Sequence, residues 1–234
     1  MTYREWLWYA MDPTELILNA SAIDGSDFHQ HHPIGVSVFL VEALPRDPAE
    51  LSLVPQHDWT SYVANAIFRV DTTRLKEQLR RRAQQQLLNK DFVFQDMRQG
   101  DSRLSAAETL QWYLRTPFTI SPRGHGIDCH RNYEALICKS VPIILGGDET
   151  LREKYSQLPV KFVDTYAELT KTKLREWYRE LLGQQFNFNH LCRSYWEARR
   201  PDVNIRHQSV HWLKRFGKLA HATHYLQGVA RPKI

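Results

Sequence analysis

From about residue 60 the chain alternates short β-branched or aromatic runs with longer stretches of good helix formers, and this alternation restricts the fold more than any other feature. Strand, helix and strand in strict succession is the repeating unit of a parallel sheet with crossover helices. Strands are expected over 62–70, 91–97, 116–120, 141–145 and 160–164, and helices over 72–89, 105–115, 129–139, 150–156 and 167–182. Two more helices are expected over 188–198 and 207–226.

Several helix ends carry their own chemistry. Ser105 and Glu108 have the spacing of a capping box, in which each side chain satisfies the other residue's orphan backbone N–H. Asp128 is expected to cap the helix that follows it, Asp71 or Thr72 the helix starting near residue 72, and Gly183 follows the end of another. The chain then divides into a poorly legible segment over 1–58, a doubly wound Rossmann-like α/β domain over 59–190, and C-terminal helices over 191–234 that pack back on the rest.

Hydrophobic residues make up 42% and charged residues 24%, the mix of a folded globular chain rather than a disordered or fibrous one. No apolar run approaches the ~20 residues that span a bilayer and the start lacks a secretory pattern, so the expected location is the cytoplasm, with no transmembrane segment. Cys129, Cys138 and Cys192 are odd in number and lack C-x-x-C spacing, which argues against a disulfide framework and a thiolate metal site. The formal net charge of +5 suits phosphorylated ligands, nucleic acid or an anionic surface without choosing among them. The basic runs around Arg74, Lys76, Arg80, Arg81 and Arg82, and around Arg199 to Lys218, read as solvated helix faces.

The segment 116–144 concentrates the chemistry, as strand, glycine-containing loop, helix and strand. Gly124 and Gly126 permit close approach of a ligand, and the helix after them offers free N–H groups and a positive dipole end, so an anion is expected there. Arg123 on the loop suits a diphosphate through its planar fork. Glu134 on the helix can accept both hydroxyls of a ribose, although Arg131 and Glu134, three residues apart, can equally form an intrahelical ion pair. Asp148, after Gly146 and Gly147 at a strand end, stands where it can meet sugar hydroxyls.

The run Ser121-Pro-Arg-Gly-His-Gly-Ile-Asp-Cys-His-Arg-Asn-Tyr-Glu-Ala-Leu, followed by Val141-Pro-Ile-Ile, resembles the signature of the exostosin-like glycosyltransferases. A looser similarity runs over 62–182. The resemblance implies a GT-B architecture of two facing Rossmann-like domains, with a nucleotide-sugar, usually a UDP-sugar, in the C-terminal one. It implies that Arg123 contacts the diphosphate, that Glu134 contacts the ribose, and that Gly126, Asp128 and Arg131 shape the donor site. His125 stands where relatives commonly carry Asn. Only 58 residues precede the nucleotide domain, so the acceptor half is expected to be reduced, rearranged or supplied by a partner.

The expected activity is transfer of a sugar from a UDP-sugar to a glycan or glycoprotein acceptor, inverting and independent of metal. No Asp-x-Asp pair sits on a strand-end loop. The general base is sought in the polar loop holding Asp24, Asp27 and His29. These same residues are ordinary turn formers and surface groups, and the neighbouring His31 and His32 point apart in extended chain, so no metal site is expected. Trp6, Trp8, Tyr9, Trp177, Tyr178, Trp196 and Trp212 read as packing residues. The rival class is a non-catalytic module binding nucleotide or nucleic acid. The Arg123 and Glu134 pair disfavours nucleic acid, because such a binder needs aromatics interleaved on a basic face and no ribose-reading carboxylate.

Overall fold

The computed structural model describes residues 59–70, 74–97, 104–124, 128–147 and 149–191, with Val36, Ser37, Leu40, Ala43, His57, Tyr195 and Ala198 as isolated positions. Five strands form one all-parallel sheet: β1 (Ala64–Ile67), β2 (Val93–Asp96), β3 (Phe118–Ser121), β4 (Val141–Leu145) and β5 (Lys161–Val163). Their order across the sheet is β2-β1-β3-β4-β5. Helices α1 (Arg74–Leu87), α2 (Ala106–Arg115), α3 (His130–Ile137) and α4 (Glu149–Lys154) fill the crossovers, and α5 (Lys171–Leu182) follows β5. Residues 59–191 are therefore α/β and Rossmann-like, as the alternation predicts.

Parallel strands covered by helices on both faces lose their alternation and become apolar throughout. Val63, Ala64, Ala66, Phe118, Ile120, Val141, Ile143 and Ile144 are accordingly all buried. Pro142 sits in β4, an interior strand, where a missing N–H usually costs a ladder bond. Here it costs none. The Val141 N–H bonds back to the Pro117 carbonyl beside β3, so the nitrogen of residue 142 faces the other way, and β5 joins β4 only from Ile143 onward.

The capping box forms as expected: Ser105 Oγ accepts from the Glu108 N–H at 3.2 Å, and the Glu108 carboxylate accepts from the Ser105 N–H at 2.8 Å. Three expectations are corrected. The helix expected over 167–182 is broken into a single 3-10 turn, Tyr166–Glu168, and α5, because Thr165 caps the turn and Thr170 caps the helix with its own side chain. Asp128 does not cap α3; Cys129 is the N-cap residue and makes no side-chain capping bond. The expected helix over 188–198 begins instead as a 3-10 turn, Phe188–Leu191. Residues 71–73, with their expected cap, and the helix expected over 207–226 lie outside the described residues.

After β4 the backbone turns at Gly146 and Gly147, whose φ angles are +69° and +110°. A Cβ on Gly147 would lie 2.8 Å from the Phe162 ring, and the Gly147 carbonyl already accepts from Arg152 Nε at 3.1 Å while the Arg152 guanidinium rides 4.6 Å over that ring. Both conformation and space demand glycine here. Gly147→Ala should cost about 1–3 kcal/mol, read as a lower denaturation midpoint with an unchanged slope. Gly146→Ala, which meets no neighbouring atom within 4 Å, should cost less, so equal losses would refute the steric part of the account.

Candidate functional site

The strand order places β2 on one side of β1, and β3, β4 and β5 on the other, so the direction of winding reverses between β1 and β3. In open α/β sheets the crevice beyond the carboxyl ends of the strands at such a reversal is where ligands bind. The two lips of that crevice are the chain leaving β1 after Ile67 and the chain leaving β3 after Ser121. The second is the Ser121-Pro-Arg-Gly stretch singled out by its residues.

The Arg123 side chain is exposed at this position, as a diphosphate-binding group requires. Its own main-chain carbonyl is held by Arg80, whose Nε donates to it at 3.0 Å while Nη1 donates to the Arg69 carbonyl at 2.6 Å. Arg131 makes a similar link, from Nε to the Ile67 carbonyl at 2.9 Å and from Nη1 to the Pro122 carbonyl at 3.4 Å, with its guanidinium 5.7 Å over the Phe68 ring. Burial opposes the Arg131 charge, yet neighbouring groups, Glu134 among them, hold its pKa above the ordinary value.

Gly124 is less constrained than the sequence suggests. A Cβ there would stand 3.5 Å from Arg80 Nη2 and 3.6 Å from Cys129 Sγ, which is ordinary contact, so the protein's own packing would accept alanine.

Glu134 is buried on α3. Its Oε2 accepts from the Tyr113 hydroxyl of α2 at 3.2 Å, and its Oε1 accepts from the Ser37 hydroxyl. Of the two readings open in the sequence, the direct intrahelical ion pair is not what forms: Arg131 turns to carbonyls and Glu134 to hydroxyls. Each carboxylate oxygen receives one O–H, which is the pattern a vicinal diol would present.

Asp128 lies at the start of the α3 segment, buried within a polar cluster. Its Oδ1 accepts from Tyr155 at 2.6 Å and from the Cys129 N–H at 2.9 Å, and its Oδ2 accepts from Tyr133 at 2.8 Å and from Lys154 Nζ at 3.2 Å. Asn132 donates to the Tyr155 hydroxyl at 3.0 Å. Burial pushes the phenols of Tyr133 and Tyr155 well above their ordinary pKa, so both remain protonated donors. Asp128 therefore anchors α3 to α4 rather than facing the loop. Cys129 makes no side-chain capping bond, and in the first turn of α3 the Asn132 N–H bonds to the Cys129 carbonyl at 3.0 Å.

Of the residues expected in the site, the fold gathers Arg123, Gly124, Asp128, Arg131 and Glu134 on the β3 loop and α3. Asp24, Asp27, His29, His125, Gly126 and Asp148 lie outside the described residues. Sequence reasoning missed Arg80, Ser37, Tyr113, Lys154 and Tyr155. Arg80 had a signal: it shares a helical face with Ala83 and Leu87, all three buried, whereas Arg81 and Arg82 are exposed. It is a correction to the reading of that basic run as a solvated face. Among the described residues there is no group of three or more His, Cys, Asp or Glu side chains placed to hold a metal ion, and no helix long and apolar enough to cross a membrane.

No family model matches the chain, and no curated protein is significantly similar to it.

Proposed function

We propose that the chain is an exostosin-like, GT-B-type glycosyltransferase that moves a sugar from a UDP-sugar to a hydroxyl of a glycan or glycoprotein acceptor, with inversion and without a metal. The observation that carries this reading is the position of the Ser121–Glu134 segment at the reversal between β1 and β3, with an exposed Arg123 on its loop and a carboxylate accepting two hydroxyls on its helix.

Glycosyl transfer loads negative charge on the departing diphosphate as the sugar becomes oxocarbenium-like, and fixed donors aimed at that charge lower the barrier. Arg123 and the positive dipole end of α3 serve the diphosphate. Glu134 takes the ribose diol. The acceptor hydroxyl loses its proton to a base from the first 58 residues, for which Asp24, Asp27 and His29 are the candidates. That assignment draws support from Ser37, which belongs to the same segment and hydrogen-bonds Glu134.

Isothermal titration of the full chain with UDP, GDP and their sugars, in EDTA and in Mn²⁺, tests the reading. UDP should bind in EDTA, and at 100 times its dissociation constant it should stabilise the fold by about 2.7 kcal/mol. Absence of binding by every nucleotide would sink the proposal and leave only the fold.

A further inference from the structure

Ser121 closes β3 at the carboxyl end of the sheet and is 1% exposed, yet its Oγ has no hydrogen-bond partner. Among the described residues Asn65, Asn132 and His190 also leave one buried atom unpartnered, but each bonds through another atom of the same side chain. Ser121 leaves its whole polar group idle. A buried hydroxyl in that condition opposes folding, so a chain that keeps one has another use for it. Side chains alternate along a strand, and Ser121 therefore shares a face with Thr119, whose hydroxyl meets that of Ser140, just after α3, at 2.8 Å. That is the face on which α3 packs, which sets the Ser121 hydroxyl beneath the start of α3 at the β3 lip of the crevice.

The main chain just after Ser121 has its acceptors engaged. The Pro122 carbonyl receives Arg131 Nη1 at 3.4 Å, and the Arg123 carbonyl receives Arg80 Nε at 3.0 Å. In a trans peptide the N–H points opposite to the carbonyl, so the N–H groups of Arg123 and Gly124 turn away from those guanidiniums. Pro122 has no N–H, and at that point of the lip the donor is the Ser121 hydroxyl. A lip with engaged carbonyls and open donors matches a group that only accepts, as a phosphoryl oxygen does; a sugar hydroxyl or a base edge needs an acceptor in return. Burial adds to the match, because a hydrogen bond is electrostatically stronger away from water. We propose that Ser121 is a ligand-contact residue whose hydroxyl, with the Arg123 and Gly124 N–H groups, donates to a phosphoryl oxygen at the β3 lip. The inference rests on the nucleotide-sugar reading for the rest of the ligand, while Ser121 reads the phosphate alone.

The test pairs calorimetric titration with thermal melting of the full chain and its Ser121→Ala and Ser121→Cys variants, using inorganic pyrophosphate and UDP. In buffer alone Ser121→Ala should melt at the wild-type temperature or above it, because the lost hydroxyl had no partner. Its affinity for pyrophosphate and for UDP should fall about ten- to a hundredfold, the contribution of one hydrogen bond to a charged group. Ser121→Cys, close in size but a weak donor, should bind nearly as poorly as the alanine variant. An unchanged pyrophosphate affinity in Ser121→Ala would overturn the proposal; so would a melting temperature lowered by several degrees in buffer alone, the mark of a hydroxyl that holds the fold. If Ser121→Ala shows no cooperative melting, Ser121→Cys decides, and wild-type pyrophosphate affinity in it overturns the contact. Comparing the two ligands separates the contact from the reading it rests on. Should the wild-type chain bind UDP and Ser121→Ala bind it equally well, the nucleotide reading stands and the Ser121 contact fails. Should the wild-type chain bind pyrophosphate as tightly as UDP, with both weakened in Ser121→Ala, the nucleoside contributes nothing, the nucleotide reading fails and the phosphate contact stands. No binding of either ligand by the wild-type chain defeats both.

Discussion

Asp128→Asn should lower the stability of the protein by about 3–5 kcal/mol, the range for breaking a buried ion pair by removing one partner. The carboxylate receives four donors, from Tyr133, Tyr155, Lys154 and the Cys129 N–H, and the substitution turns one acceptor oxygen into an NH₂ group that faces them. The two tyrosines cannot compensate by ionising, because burial already drives their pKa values far upward. At about 2–4 °C per kcal/mol for a chain of this size, the melting temperature should drop by roughly 6–20 °C. Tyr155→Phe, which removes one donor to Asp128 and one acceptor for Asn132, should cost about 1–3 kcal/mol. Equilibrium urea unfolding measures both. A loss under about 1 kcal/mol for Asp128→Asn would mean that the cluster contributes no net stability and that α3 is held by its apolar face instead.

The same residue illustrates where reading the chain succeeded and where it stopped. Asp128 stands just before a helix, a position that favours a cap, and local pattern offers no reason to prefer another partner. Two of its four donors, Lys154 at the end of α4 and Tyr155 just after it, lie beyond β4 in sequence. Only the packing of α4 against α3 brings them within reach, and no helical period or turn signal encodes that distance. All five strands, in contrast, were legible, because β-branched and aromatic runs bounded by polar turns depend on neighbouring residues alone. The break at Leu169 and Thr170 was missed for a related reason. Threonine is a tolerable helix residue, and its use as a cap shows only once its side chain turns back to the Lys173 N–H.

The crevice was legible in its loop but not in its support. Arg123, Gly124 and Glu134 belong to one continuous stretch, and a stretch can be read. Arg80 lies 43 residues before the carbonyl it holds, and Ser37 lies 97 residues before the carboxylate it holds. A basic residue in a basic run looks like surface until the strand order sets α1 beside the lip of β3. Strand order is the decisive quantity. With β1 and β3 adjacent, every contact between the two loops becomes possible; with β1 and β4 adjacent, the same side chains would face other partners.

Substitutions at the two ends of the Ser37 and Glu134 hydrogen bond should move UDP affinity in opposite directions. Glu134→Gln removes the charge that both ribose hydroxyls would meet, and a hydrogen bond to a charged group contributes about 1.5–3 kcal/mol, so UDP should bind roughly ten- to a hundredfold more weakly. The fold should survive with a modest loss, because the amide still offers one acceptor to the Tyr113 hydroxyl. Ser37→Ala acts on the other side of the same balance. The Ser37 hydroxyl donates to Oε1, one of the two oxygens the diol needs, so ribose must displace it. Removing the hydroxyl removes the competitor, and UDP should bind about two- to tenfold more tightly, the equivalent of one net neutral hydrogen bond. Calorimetric titration of UDP into both variants reads the two effects directly. If Ser37→Ala weakens UDP as Glu134→Gln does, the serine orients the carboxylate for the ribose rather than competing with it. If neither substitution alters UDP affinity while the wild-type chain binds UDP, Glu134 is a structural carboxylate joining α2, α3 and residue 37, and the ribose is held elsewhere.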